Sequence, residues 1–292
     1  MKKIQDAKKR YEDVEIPSEL KGVVEQSILK AKQKSKKNGS FKQWGIGVAA
    51  AATLFVASVN VSPALAHSLA TVPVLGSIVQ VITIQEITFD EETYNANLKT
   101  PNVVGLENKE LENMLNEKYT AENEVLYEQF QSEMKEMEEA GGGGHLGVDS
   151  HYEVITDTDD ILSISRYEVN TVGSSSTTMR TDTIDKKNEI LITLPSLFKN
   201  DGYVEAISTY IKEDMIKQMA ADEDLVYWVG EEADFESFEA IRADQTFSIT
   251  ADHKLTISFD KYEVAPGYMG VLTFEIPTEV IAPYLTSDYY IK

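Results

Sequence analysis

An uncharged run of 23 residues, Trp44 to Ala66 (WGIGVAAAATLFVASVNVSPALA), constrains this chain more than any other feature. At about 1.5 Å of helical rise per residue, such a run crosses a hydrocarbon core of roughly 30 Å. Lys30, Lys32, Lys34, Lys36, Lys37 and Lys42 stand just before it. Basic residues flanking the first apolar segment hold that side in the cytoplasm. The pattern predicts a cytoplasmic arm over residues 1–43, one transmembrane helix over 44–66 and a large extracellular region beyond.

The end of the run carries a second signal. Pro63 interrupts the helix, and Ala64-Leu65-Ala66, followed by His67, is the small-x-small pattern that signal peptidase reads. Ordinary secretory signals total about 15–30 residues, whereas 43 precede Trp44 here. The expectation is therefore a long-lived anchor with a latent cleavage site, in preference to a leader removed at once.

Charge divides along the same line. Residues 1–43 hold 12 Lys/Arg against 6 Asp/Glu, and the remainder holds 15 against 43, giving −22 for the whole chain. So acidic an exterior attracts cationic proteins and repels nucleic acid, and it also keeps an exported domain soluble. The absence of cysteine excludes disulfides, thiolate metal sites and a cysteine nucleophile.

In the arm, Ile16-Pro17-Ser18 reads as a helix start, and Leu20, Val23, Val24, Ser27, Ile28 and Ala31 form one stripe at helical spacing. A lone amphipathic helix is marginal in water, so the stripe needs either the membrane surface or a cytoplasmic protein. After Ala66, residues 67–77 read as a short interfacial helix with Leu69, Val72 and Leu75 on one face, and Val79 to Phe89 as a strand. Residues 67–89 thus form a juxtamembrane unit ahead of a domain spanning 90–292.

Within that domain Leu111, Leu115, Tyr119, Leu126, Phe130, Met134 and Met137 predict a long surface helix, its methionines serving as core filler. Ala140 to Gly147 (AGGGGHLG) predicts a mobile loop. Strands are expected at Tyr152–Thr156, Leu162–Val169, Met179–Ile184, Glu189–Leu194, Thr246–Thr250, Leu255–Asp260 and Val271–Ile276. A second helix opens at Asn200-Asp201-Gly202, with Val204, Ile207, Ile211, Met215 and Met219 inward. Gly173 to Thr177 is expected as a flexible tip between two strands, and one face of the last strands is expected to be buried. The fold class is α+β: an antiparallel sheet with two main helices, attached to one transmembrane helix and a short helical arm.

Catalytic patterns are missing. Neither G-x-S-x-G nor H-E-x-x-H occurs. His145 and His151 lack a third metal ligand, and Asp157, Asp159 and Asp160 lack the glycine and glutamate of a calcium loop. No enzyme activity, metal or cofactor is expected. Binding is better served by Phe259 to Gly270 (FDKYEVAPGYMG), where Pro266-Gly267 sets a turn presenting Tyr268 and Met269. An aromatic on a rigid tip suits an anchor in a protein cleft. Tyr262 is expected to cover a sheet edge.

These features together resemble the anti-sigma-V factor family, lysozyme-sensing membrane proteins of Gram-positive bacteria. The resemblance rests on the Tyr11 to Lys37 arm with its Ile16-Pro17-x-x-Leu20 start, the single span, Ala64-Leu65-Ala66 and the Phe259 to Gly270 segment. It implies that the arm, through Ile16, Leu20, Val23, Val24 and Ile28, holds an extracytoplasmic-function sigma factor. It implies further that lysozyme binds the outer domain through Ser174, Ser175, Ser176, Thr177, Pro266, Gly267 and Tyr268. Signal peptidase would then cut after Ala66 and a site-2 intramembrane protease within the span, with no direct contact to nucleic acid. The outer domain is also similar to a non-catalytic module of some peptidoglycan deacetylases. The competing expectation is an exported cell-wall protein cut constitutively after Ala66.

Overall fold

A computed structural model describes residues 79–91, 93–230 and 237–292. The arm, the span, Ala64 to His67 and the expected helix over 67–77 lie outside these residues. Among the described residues no helix is long and apolar enough to cross a membrane.

Two β-sheets and two long helices make up the domain. The first sheet has six strands in sequence order: β1 (Gln80–Asp90), β2 (Tyr94–Val104), β3 (Leu146–Asp157), β4 (Ile161–Val172), β5 (Ser174–Asp185) and β6 (Ile190–Ile192). β1 and β2 form a hairpin, and β3 to β6 form an antiparallel meander. Between these halves β2 and β3 run parallel, from Tyr94 beside Leu146 to Leu98 beside Ser150. The expected all-antiparallel sheet is corrected here: a parallel pair needs a long crossover, and helix α1 (Lys109–Glu139) supplies it.

Local chemistry explains where α1 begins and ends. The Asn108 side chain accepts from the Leu111 N–H, and Glu110 and Glu112 sit in the first turn, where carboxylates complement the helix dipole. Gly141, Gly142 and Gly143 all take positive φ just past its end, as glycine does without strain. Leu111, Leu115, Tyr119, Asn123, Leu126 and Phe130 are buried against the sheet. Where β2 and β3 part, the Asn116 side chain replaces the missing strand. Its Oδ1 accepts from the Val103 N–H at 2.7 Å and its amide donates to the Val103 carbonyl at 2.8 Å.

The second sheet is β7 (Phe247–Ile249), β8 (Leu255–Phe259) and β9 (Leu272–Ile276), all antiparallel. It packs with helix α2 (Gly202–Ala221) and the short α3 (Thr278–Ile281) around a core that includes Ile207, Ile211, Met215, Ile257, Phe259 and Ile276. Val204 and Met219 pack against this core from partly buried positions. Only one buried face was expected for these strands, yet Ser248, Thr256 and Ser258 are buried too. Hydroxyls on opposed strands satisfy one another: Ser248 with Thr256 at 2.6 Å and Ser258 with Thr273 at 2.9 Å. The large sheet repeats the device with Ser163–Thr183 and Ser165–Thr181 at 3.1 and 2.8 Å. Hydroxyl pairs spare buried polar atoms the cost of remaining unbonded.

The two sheets are joined along β5. The Thr246 hydroxyl donates to the Met179 carbonyl at 2.9 Å, the Met179 N–H to Asp260 at 2.7 Å and the Lys261 N–H to the Thr177 carbonyl at 3.0 Å. The C-terminal tail adds a clip. Tyr290 donates to Asp185 at 2.6 Å, and Lys254 and Thr278 both donate to the Lys292 carbonyl.

Burial alone would raise the Asp185 carboxyl, but the Tyr290 hydroxyl and bonds from Asn188 and Lys187 outweigh it and hold the carboxyl below its ordinary value. A depressed carboxylate contributes stability that is present above its unfolded value, near about 4, and is lost as pH falls through the folded one. Thermal melts between pH 6 and pH 3 are expected to show Tyr290→Phe losing most of its deficit at the acidic end. A deficit that stays constant down to pH 3 would refute the linkage.

Candidate protein-binding surface

Tyr268 occupies a 3-10 turn, Gly267–Met269, between β8 and β9. Pro266 sets the entry and Gly270 leaves at φ +72°, so the turn is rigid at one end and sharply reversed at the other. The Tyr268 ring is 67% exposed, while Met269 packs partly on the core. The phenol donates to the Asp224 carbonyl at 3.0 Å. That bond ties the tip to the acidic loop Asp222-Glu223-Asp224.

The expected serine-rich tip is corrected. Ser174 to Thr177 belong to strand β5, and the reversal from β4 turns on Gly173 at φ +71°, with Val172 already opposite Ser174. A single glycine suffices because it alone adopts positive φ without steric penalty. Ser174 and Ser176 are exposed, and Ser175 and Thr177 are half-buried.

Lys261 and Tyr262 bring the two segments together. The Lys261 ammonium donates to the Ser175 hydroxyl at 2.8 Å and lies 5.2 Å from the Tyr262 ring centroid. The Tyr262 hydroxyl meets the Ser174 hydroxyl at 3.1 Å, and its ring lies against Gly267, where a Cβ would come within 2.2 Å of it. Tyr262 holds φ +72°, a strained value for a bulky residue. Expected only to cover a sheet edge, Tyr262 is the bridge of the surface. Gly267 is small because that ring needs the space.

The remaining candidate chemistry is occupied. His151 lies in β3, stacked on Tyr167 with centroids 4.9 Å apart and its Nδ1 3.1 Å from Asp149. Asp157 pairs with Lys186 at 2.8 Å, and Asp160 pairs with Lys187. Among the described residues no group of three or more His, Asp or Glu is placed to hold a metal ion.

The fold is that of the DUF3298 family. A member from Bacteroides fragilis matches with a TM-score of 0.53 and 16% identity over 72% of this chain and 95% of its own. A DUF3298 family protein from Pseudomonas aeruginosa matches with a TM-score of 0.51 and 9% identity over 74% and 98%. Family models agree: residues 195–279 match the protein of unknown function DUF3298, and residues 36–133 match the domain of unknown function DUF4179. The protein named anti-sigma-V factor RsiV in Bacillus subtilis strain 168 is 48% identical over 293 residues, covering 100% of this chain and 99% of the relative. The chain belongs to the anti-sigma-V factor family.

Proposed function

We propose that the chain is a membrane-anchored anti-sigma factor, without catalysis of its own, whose extracellular domain receives lysozyme. The observation that carries this reading is the 48% identity along the entire length to a protein named anti-sigma-V factor. The arm holds an extracytoplasmic-function sigma factor through the Ile16, Leu20, Val23, Val24 and Ile28 stripe. Trp44 to Ala66 anchors it with the N-terminus inside. Lysozyme binding exposes the bond after Ala66, before His67, to signal peptidase. A site-2 protease then cuts within the span and the sigma factor is released.

The joined surface supports the extracellular half of this scheme. Tyr268 projects from a turn braced by Pro266, Gly267 and Tyr262, beside Ser174 and an acidic loop. A pre-braced aromatic loses little conformational entropy on entering a cleft, and flanking carboxylates suit a basic partner. Cells carrying the full chain are expected to show intact protein on an immunoblot that disappears after lysozyme is added. Constant cleaved product with no lysozyme present would replace this reading with a constitutively cut exported protein. By calorimetry, Tyr268→Ala is expected to weaken lysozyme binding by about 1–3 kcal/mol; unchanged affinity would remove it from the surface.

A further inference from the structure

Lys261 stands where β5 meets the segment that leads into the Pro266-Gly267 turn. Its backbone N–H donates to the Thr177 carbonyl at 3.0 Å, which fixes the residue on the edge of β5. Its ammonium donates to the Ser175 hydroxyl at 2.8 Å, with the Tyr262 ring centroid 5.2 Å away. An ammonium carries three hydrogens and accepts nothing, so the Ser175 bond leaves donors over. A long side chain held at both ends in this way loses little further freedom when a partner arrives.

What the ammonium lacks is a counter-ion. Among the described residues no carboxylate pairs with Lys261, although residues after 43 hold 43 Asp/Glu against 15 Lys/Arg. The nearest carboxylates in sequence are committed elsewhere, Asp260 to Arg180 at 3.0 Å and Glu263 to Arg242. Asp260 also accepts from the Met179 N–H and Glu263 from the Asp260 N–H, both at 2.7 Å. Each carboxylate is therefore fixed by an arginine and a backbone donor, and neither is spare for Lys261. A cation on a surface that otherwise suits a basic partner repels that partner, unless a carboxylate comes opposite.

We propose that Lys261 is a specificity-determining residue of this surface, its ammonium pairing with a carboxylate of the bound protein and setting the register of the complex. The inference rests on the lysozyme-binding reading above. Acidic charge speeds the encounter with any basic protein, whereas Lys261 selects one that brings a carboxylate to this position. Surface plasmon resonance with lysozyme tests it on the full-length chain in detergent micelles. The variants are Lys261→Arg, Lys261→Gln, Lys261→Glu and Lys199→Glu. Lys199 is exposed ahead of α2 and the acidic loop follows the other end of that helix, so Lys199→Glu adds the same charge away from the surface. Lys261→Gln is expected to weaken binding about three- to tenfold through faster dissociation, at an unchanged melting temperature. Lys261→Arg, which keeps the charge, is expected to stay within about threefold of the parent. General attraction makes added negative charge favour a basic partner, so Lys199→Glu is expected to bind at least as tightly as the parent. Lys261→Glu is expected to do the opposite, weakening binding by more than about tenfold. The proposal is overturned if Lys261→Glu binds as tightly as the parent, if Lys199→Glu loses as much, or if the Lys261→Gln loss is matched by a fall in melting temperature. A parent chain that binds no lysozyme would remove the receptor reading itself, and this inference with it.

Discussion

Arg166→Ala is expected to destabilise the domain by about 3–5 kcal/mol, the range for breaking a buried ion pair from one side. The Arg166 side chain is only 12% exposed, with its guanidinium 4.5 Å from the Tyr119 ring centroid, and it pairs with Asp182 and Glu122. Removing it leaves Asp182, 7% exposed, with Lys118 alone at 3.0 Å. The urea midpoint should fall while the slope stays constant. Replacing both partners, Arg166→Met with Asp182→Leu, should recover most of the loss, because the penalty comes from a buried carboxylate left with one cation where it had two. A single-mutant loss under about 1 kcal/mol would mean that Asp182 is far better solvated than its burial implies.

Phe259→Ala should cost a comparable amount, about 3–5 kcal/mol, by opening a void at the centre of the second core. Phe259 is 1% exposed and meets Phe238 and Phe274 edge-on, with centroids 5.3 and 5.8 Å away. Tyr268→Ala, a few residues further on, should leave the urea midpoint almost unchanged, since exposed side chains contribute little to folding. The pair separates folding from recognition within one short segment. A Tyr268→Ala variant as unstable as Phe259→Ala would make the tip a structural prop.

Much of this fold was legible from spacing. Helix α1 follows from Leu111, Leu115, Tyr119, Leu126 and Phe130, and α2 from Ile207, Ile211 and Met215. Asn123, which fills the seven-residue gap in the α1 stripe, was not legible, because its burial depends on hydroxyls from two distant strands. Strand β2 escaped for the opposite reason. Asn95, Asn97, Pro101 and Asn102 argue against a strand, while Tyr94, Ala96 and Leu98 carry the buried alternation. The serine run of β5 has the composition of a loop, yet hairpin pairing with β4 across Gly173 overrides composition. The serine run and the Pro266-Gly267 turn could each be picked out in the sequence as candidates. Their junction could not, because the positive φ of Tyr262 and its fit to Gly267 exist only in the folded chain. Family membership was legible from the order of arm, span and turn segment, and the full-length identity to a named anti-sigma-V factor agrees.

The parallel joint between β2 and β3 imposes an order on folding. The β1–β2 hairpin needs only neighbours in sequence and closes in about 1–10 μs. Tyr94 and Leu146, by contrast, are about fifty residues apart along the chain, and closing that loop costs entropy before any contact repays it. During that interval an isoleucine-rich hairpin stands with both edges bare, ready to zip onto another nascent chain. Slow refolding and concentration-dependent losses should therefore trace to this one seam, and linking β2 to β3 more tightly should relieve both.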